Sequence, residues 1–345
     1  MLTIHCLRVT AEAVTPLSFD DYTGSAFRGA FFRALMGRFC TNREAPSCQV
    51  CPLVAGCPVA TLVTPMREEG IDLHGFGNDL PRPFVVWAPQ KQEGRTYHRY
   101  EPGEPFTFGL TLIGKSAKLF PFVLRALQVM EQYGLGRPVR ELHGQRGRFL
   151  LREVHAYHPF TEQQQVLWQK GEAHTQKLTL SITGDDIAAR ALQLSSEQVT
   201  LHFLSPTRLV ADKQVLQRPT CYTLMLRLAE RLEQLHYLYS TTPTQQQFGK
   251  EWYLQVGAAA GAVQLVSDQT HWVRVTSHSA RQQRNMSLDG FVGRATYQGD
   301  LSHLRELLVW GEVTGVGKSV TKGSGHYRIE VPGGASPRRA PAGGD

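Results

Sequence analysis

Hydrophobic positions in this chain follow two rhythms, a strand-like alternation and a helix-like recurrence, and the two succeed one another in the same order twice. Residues 2–9 alternate as a strand does. Residues 24–39 set Phe27, Phe31, Ala34 and Leu35 at helical spacing, which predicts a helix. Residues 83–88 and 105–113 are predicted strands. Residues 116–133 form a second amphipathic helix that stops at Gly134, a helix-ending residue. Residues 148–157 supply a closing strand. The order strand, helix, strand, strand, helix, strand is that of a ferredoxin-like unit.

A polar, Gln-rich stretch over 162–197 follows, with one possible extra strand at 178–182. The order then returns. A strand at 199–204 runs into Ser205-Pro206-Thr207, and a helix at 220–239 carries Met225, Leu228, Leu232 and Leu235 on one face. Strands at 272–276 and 291–297, a short helix at 301–309 and a strand at 326–331 complete the set. The expectation is an α+β protein with tandem ferredoxin-like (RRM-like) βαββαβ domains. They would span residues 1–160 and 198–331, with 161–197 as a linker or extra strand. The tail 332–345, PGGASPRRAPAGGD, lacks apolar periodicity and is expected to be disordered.

Composition narrows the function classes. The 345 residues are 41% hydrophobic and 19% charged, ordinary for a globular chain with a sizeable core. No apolar run approaches the roughly 20 residues that span a bilayer. The first residues lack the basic and apolar regions of a signal peptide. A cytoplasmic protein with no membrane partner is expected. The net charge of +7 suits a polyanion, because Lys and Arg gain by releasing counterions from phosphates.

Cys40, Cys48, Cys51 and Cys57 follow the first helix as C-x7-C-x2-C-x5-C, a four-cysteine insertion within residues 40–60. In a cytoplasmic chain such clustering favours a metal over disulfides. Four thiolates fit a tetrahedral zinc, which would be structural because no ligand position is left open. An iron–sulfur cluster is the rival, since Cys57-Pro58 suits one. Cys6 and Cys221 fall in a predicted strand and helix and are expected in the core.

The segment 311–329, GEVTGVGKSVTKGSGHYRI, interleaves five glycines with Lys318, Lys322 and Arg328. Glycine admits positive φ and close backbone approach. Basic side chains beside such a loop meet phosphates, and its backbone N–H groups can donate to the same oxygens. Gly317-Lys318-Ser319 is not a phosphate-binding P-loop: the required earlier glycine would stand where Glu312 is.

Gly315-Val316-Gly317-Lys318, Gly323-Ser324-Gly325 and Tyr327 together resemble the C-terminal glycine-rich loop of the CRISPR-associated endoribonucleases that process precursor guide RNA, members of the RAMP superfamily. Three further segments resemble that family in the same order along the chain: TGSAFRGAFFRAL at 23–35, FLSPTRL at 203–209, and RQQRNMSLDGFVG at 281–293 with Tyr297 and Gly299-Asp300 after it. The resemblance implies tandem ferredoxin-like domains, binding of CRISPR repeat RNA, metal-independent cleavage, and other CRISPR effector subunits as further partners. It makes Gly315, Gly317, Lys318, Lys322, Gly323, Gly325 and Arg328 the RNA-binding candidates. No histidine lies between His5 and His74, where distant relatives carry a catalytic one after the first helix.

RNA supplies its own nucleophile, the 2′-OH. An enzyme must align it, move protons and neutralise phosphate charge. His278, flanked by Arg274 and Arg281, is the first candidate for proton transfer. Arg281 and Arg28 are the candidate phosphate contacts, Arg28 lying on the helix where the family places a wall of its active site. His326, His155 and His158 are secondary candidates. Arg28, Arg33 and Arg38 do not form one stripe, because steps of five residues turn them about 140° apart. Trp272, Tyr297 and Tyr327 could stack on bases but suit core packing better. Two readings follow: a metal-independent endoribonuclease that makes guide RNA, or a non-catalytic RNA-binding subunit of a CRISPR effector complex.

Overall fold

The computed structural model describes residues 1–66, 80–89, 98–242, 248–279 and 284–330. The chain divides into two compact units, one of residues 1–182 with 238–242, the other of residues 183–237 with 243–345.

The first unit contains strand β1 (Ile4–Ala13), helices α1 (Gly24–Phe39) and α2 (Pro58–Val63), strands β2 (Phe84–Trp87) and β3 (Pro105–Ile113), helix α3 (Phe120–Tyr133), and strands β4 (Phe149–Tyr157) and β5 (Gln164–Gln169). The strands form one antiparallel sheet in the order β2-β3-β1-β4-β5. Alternation decides the faces of β1. Leu7, Val9, Ala11 and Ala13 are buried, while Arg8, Thr10 and Glu12 are half-buried on the other side. Helices α1 and α3 pack along each other over the apolar face. Phe27, Phe31 and Leu35 meet Val123, Leu127 and the sheet residues Phe84, Phe108 and Phe149 in one core.

The second unit contains helix α4 (Gly184–Leu192), strand β6 (Gln198–Thr207), helices α5 (Cys221–Tyr239) and α6 (Lys250–Ala262), strands β7 (Gln264–Val273), β8 (Thr276–Ser279), β9 (Arg284–Ser287) and β10 (Gly290–Gln298), helix α7 (Arg305–Thr314) and strand β11 (Tyr327–Glu330). Its main sheet has the order β7-β10-β6-β11. With the strands of each unit counted in sequence, and β5 and the β8–β9 hairpin left aside, both sheets run second-third-first-fourth. That is the ferredoxin-like order twice over. Val199, Leu201 and Phe203 of β6 are buried, as are Phe291 and Tyr297 of β10, Leu224 and Leu228 of α5, and Leu308 of α7.

Several elements differ from the sequence expectation. The extra strand expected at 178–182 is reduced to one bridge between Ile4 and Ile182, and the added strand of that sheet is β5. The stretch read as a linker also holds α4, started by a capping box in which Thr183 N–H donates to Asp186 Oδ2 at 2.7 Å. The strand expected at 272–276 begins earlier, at Gln264, and is preceded by α6. The helix expected at 301–309 is shifted to Arg305–Thr314, so Gly311 is helical. A helix tolerates this glycine because its missing side chain leaves room for Tyr327 and Leu228.

Candidate nucleic-acid interface

The glycine-rich segment is a fastened loop. Helix α7 stops at Thr314, where Gly315 turns to φ +73°. The Thr314 carbonyl accepts from Arg231 Nε and Nη2 at 3.1 and 2.9 Å. Gly317, Ser319, Gly323 and Gly325 all have positive φ. A side chain on Gly317 would run into the Arg208 carbonyl, and one on Gly325 into the Val316 carbonyl. The loop is tied to the end of β6 and the residues after it: Lys318 N–H donates to Arg208 O at 3.1 Å and Gly325 N–H to Pro206 O at 3.1 Å. His326 N–H donates to Ser205 Oγ at 3.0 Å.

These bonds revise the expected use of the loop's amides. The N–H groups of Val316, Lys318, Lys322, Gly323, Ser324 and Gly325 already donate to protein carbonyls. What the loop offers a phosphate is therefore charge on side chains. Lys318 is exposed, and Lys322 is half-buried with Nζ 3.4 Å from Met286 Sδ. Lys318 also acts on Glu230 of α5. Burial pushes the Glu230 carboxyl above its ordinary range, and Arg227, 2.8 Å away, and Lys318 pull it back.

Met286 lies on β9, opposite Ser277 of β8, and the next pair is Asn285 opposite His278. Arg208 Nη1 donates to Ser287 Oγ at 3.0 Å on the same strand. The loop and its anchor thus both touch the hairpin that carries His278. The His278 side chain and Arg281 lie outside the described residues. Arg28 is in the first unit, half-buried, its guanidinium carbon 5.8 Å from the Phe32 ring centre. Arg328 is placed on β11 opposite His202. Arg208 was passed over by the sequence reading, although it follows directly on Ser205-Pro206-Thr207 at the end of β6.

The remaining candidates are structural in their surroundings. His326 is 4% exposed. Tyr297 and Tyr327 are core residues whose hydroxyls donate to Pro219 O at 2.7 Å and Leu308 O at 2.6 Å. His158 is buried, and His155 Nε2 lies 3.0 Å from Glu153 Oε2. Trp272 is half-buried on β7.

Cys40, Cys48, Cys51 and Cys57 are free, half-buried thiols. Cys51 N–H closes a single turn on Cys48 O at 3.4 Å, and Cys57 precedes α2. Among the described residues no group of three or more His, Cys, Asp or Glu side chains is gathered to hold a metal ion. As placed here, the four thiols do not form a ready site.

No curated protein sequence matches the chain. Among solved structures, a Cas6 product complex covers 95% of this chain and 99% of its own at 16% identity, with a TM-score of 0.54. Thermus thermophilus Cas6 covers 96% and 99% at 15% identity, TM-score 0.52. A partial Cas6-RT-Cas1–Cas2 complex covers 96% of this chain and 46% of its own at 12% identity, TM-score 0.53. At these identities the likeness is one of fold. Residues 2–180 match a family model described as an N-terminal domain. Residues 201–327, which contain the loop's glycines and lysines, its anchor and the hairpin, match the model of the CRISPR-associated endoribonuclease Cas6. Residues 201–327 are thus similar to the Cas6 family of CRISPR-associated endoribonucleases, and the chain shares the fold of the solved Cas6 structures.

Proposed function

We propose that this chain is an endoribonuclease that cleaves CRISPR repeat RNA into guide RNA without a catalytic metal, by attack of the 2′-OH on the adjacent phosphate. The products are a 2′,3′-cyclic phosphate and a 5′-OH. The observation that carries the reading is the contact of the basic glycine loop and Arg208 with the hairpin bearing His278. Lys318 and Lys322 bring charge to the RNA backbone at one side of that hairpin. His278 moves a proton and Arg281 neutralises phosphate charge, and Arg28 of the first unit is a separate candidate phosphate contact. RNA that is deoxy at the one nucleotide 5′ of the cut tests this: it is expected to bind nearly as tightly and to resist cleavage, and cleavage of native RNA is expected to survive EDTA. Cleavage of the deoxy-substituted RNA, or a strict need for magnesium, overturns the mechanism. A His278→Ala variant is expected to lose roughly 10²–10⁴-fold in rate.

The absence of a histidine between His5 and His74 favours a second reading, a non-catalytic RNA-binding subunit of a CRISPR effector complex. Binding without cleavage of labelled repeat RNA selects it. In both readings the partners are repeat RNA and other CRISPR proteins, in the cytoplasm. No helix among the described residues is long and apolar enough to cross a membrane. The spacing of Cys40, Cys48, Cys51 and Cys57 supports a structural zinc, with an iron–sulfur cluster as the rival. Neither takes part in the reaction.

A further inference from the structure

The main sheet of the second unit carries a basic row on its polar face. Along β6, Val199, Leu201 and Phe203 point into the core, so Thr200, His202 and Leu204 point the other way. His202 stands directly opposite Arg294 on β10 and directly opposite Arg328 on β11. Opposed residues of an antiparallel pair share a face, so Arg294, His202 and Arg328 form one line across three strands. Gln269 of β7 stands opposite Arg294 and extends the line. The neighbouring row is Thr296, Thr200 and Glu330, with Thr200 and Thr296 hydroxyl oxygens 2.9 Å apart.

Charge in this row is unbalanced. Glu330 Oε1 accepts from Arg294 Nε at 2.8 Å and lies 3.7 Å from His202 Nδ1. Glu330 thus meets one guanidinium and an imidazole, while Arg328, two residues before it on β11, is within charge reach of the buried Glu312. Like charges side by side on a sheet destabilise it, so the folded chain alone gains nothing from the arrangement. The groups are accessible: the Arg294 side chain is 50% exposed, His202 32% and Glu330 33%. Burial, then Arg294 and Arg328, hold the His202 imidazole below its ordinary titration range, partly offset by Glu330. The ring is therefore neutral near pH 7, and a flat neutral ring between two fixed cations is a stacking surface.

We infer that Arg294, His202 and Arg328 form a second RNA contact, distinct from the glycine loop, in which the two guanidiniums take two phosphates of one strand and His202 stacks on an unpaired base. Two strand spacings separate the arginines by about 10 Å, which suits separate phosphates better than one. Stacking on a side chain requires a base free of its helix, so the ligand is single-stranded RNA. The inference rests on the reading that this chain binds repeat RNA, and it adds a place for the strand that the loop does not hold.

The test uses the full chain and a short labelled single-stranded RNA of repeat sequence, with affinity measured across a salt series. Replacing both arginines, Arg294→Gln with Arg328→Gln, is expected to weaken binding about 25-fold at 0.1 M salt and to reduce the log–log salt slope by about 1.4, at about 0.7 per single-strand phosphate contact. His202→Ala is expected to weaken binding, and His202→Phe to retain it. Glu330→Gln removes the row's counter-charge and is expected to tighten binding, a sign that damage to the fold cannot produce. Unchanged affinity and slope in the double variant, or weaker binding in Glu330→Gln at an unchanged melting temperature, overturns the row. Lys318→Ala separates the two ideas: if it loses affinity while the row variants keep theirs, RNA binding stands and the row falls. A wild-type chain that binds no repeat RNA removes both.

Discussion

The backbone N–H of Lys318 donates to the carbonyl oxygen of Arg208 at 3.1 Å, and Arg208 donates in turn to Ser287 on the hairpin that carries His278. One residue of the loop and one residue after β6 therefore fix the distance between the basic loop and the candidate proton-transfer strand.

That relationship separates two neighbouring substitutions. Gly317 has φ +78° and sits against the Arg208 carbonyl, so Gly317→Val combines a clash with a backbone strain of about 1–3 kcal/mol. It is expected to lower the melting temperature and RNA affinity together. Lys318→Ala removes only an exposed charge and should shift stability by no more than about 0.5 kcal/mol while weakening RNA binding and flattening its salt dependence. Thermal melting beside a binding titration checks both.

Gly311 and Tyr327 couple a helix to a strand. The Tyr327 hydroxyl donates to Leu308 O, and a Cβ on Gly311 would meet that hydroxyl and Leu228. Tyr327→Phe is expected to cost about 1 kcal/mol. Gly311→Ala overpacks the site and is expected to cost about 1–3 kcal/mol. Because the added methyl strikes the hydroxyl, the double variant should be more stable than the sum of the singles implies. A double-mutant cycle in urea measures the difference.

His236 makes the stability depend on pH. Its ring lies among Phe248 and Trp310, at 5.0 and 5.8 Å, and burial lowers its pKa from 6.5 to about 4. The folded state then binds fewer protons than the unfolded one between those values, so stability is full above about pH 6.5 and falls as the pH drops towards 4. The loss is roughly 2 kcal/mol once the solvent-facing part of the ring is discounted. The difference between the unfolding midpoints of wild type and His236→Phe should be constant above about pH 6.5 and shift against the wild type as the pH falls towards 4. Parallel curves from pH 8 to pH 4.5 count against this role.

The cysteine loop is tested by composition. Reductively purified protein is expected to contain about one zinc per chain. Cys48→Ser with Cys51→Ser is expected to release it and to destabilise the first unit. Metal analysis that finds neither zinc nor iron discards the site and leaves the four thiols as residues of a loop.

Much of the fold was readable because its signal is local. Bounds of α1 and β3 follow directly from where apolar spacing starts and stops, and Gly134 ends α3 as expected. Helix α4 also left a local sign, the Thr183–Asp186 capping box, hidden in a stretch whose polar composition read as linker. Helix α6 gave a weaker one, since its Ala- and Gly-rich face packs small residues near Tyr222 and Leu226 of α5.

The sequence by itself determined the two βαββαβ units, because alternation and helical recurrence are set by which side of each element must leave water. It also determined the positions of the glycines, because only glycine fits where φ is positive and carbonyls close in. What those glycines do was decided by tertiary structure. Two of the amides expected to hold phosphates, those of Lys318 and Gly325, tie the loop to Arg208 and Pro206, more than a hundred residues away along the chain, and four others donate to carbonyls of the loop itself. The row of Arg294, His202 and Arg328 arises the same way. Arg328 stood out beside the glycines, but Arg294 and His202 are unremarked within their own strands, and only the antiparallel register, fixed by burial of the opposite face, sets the three side by side.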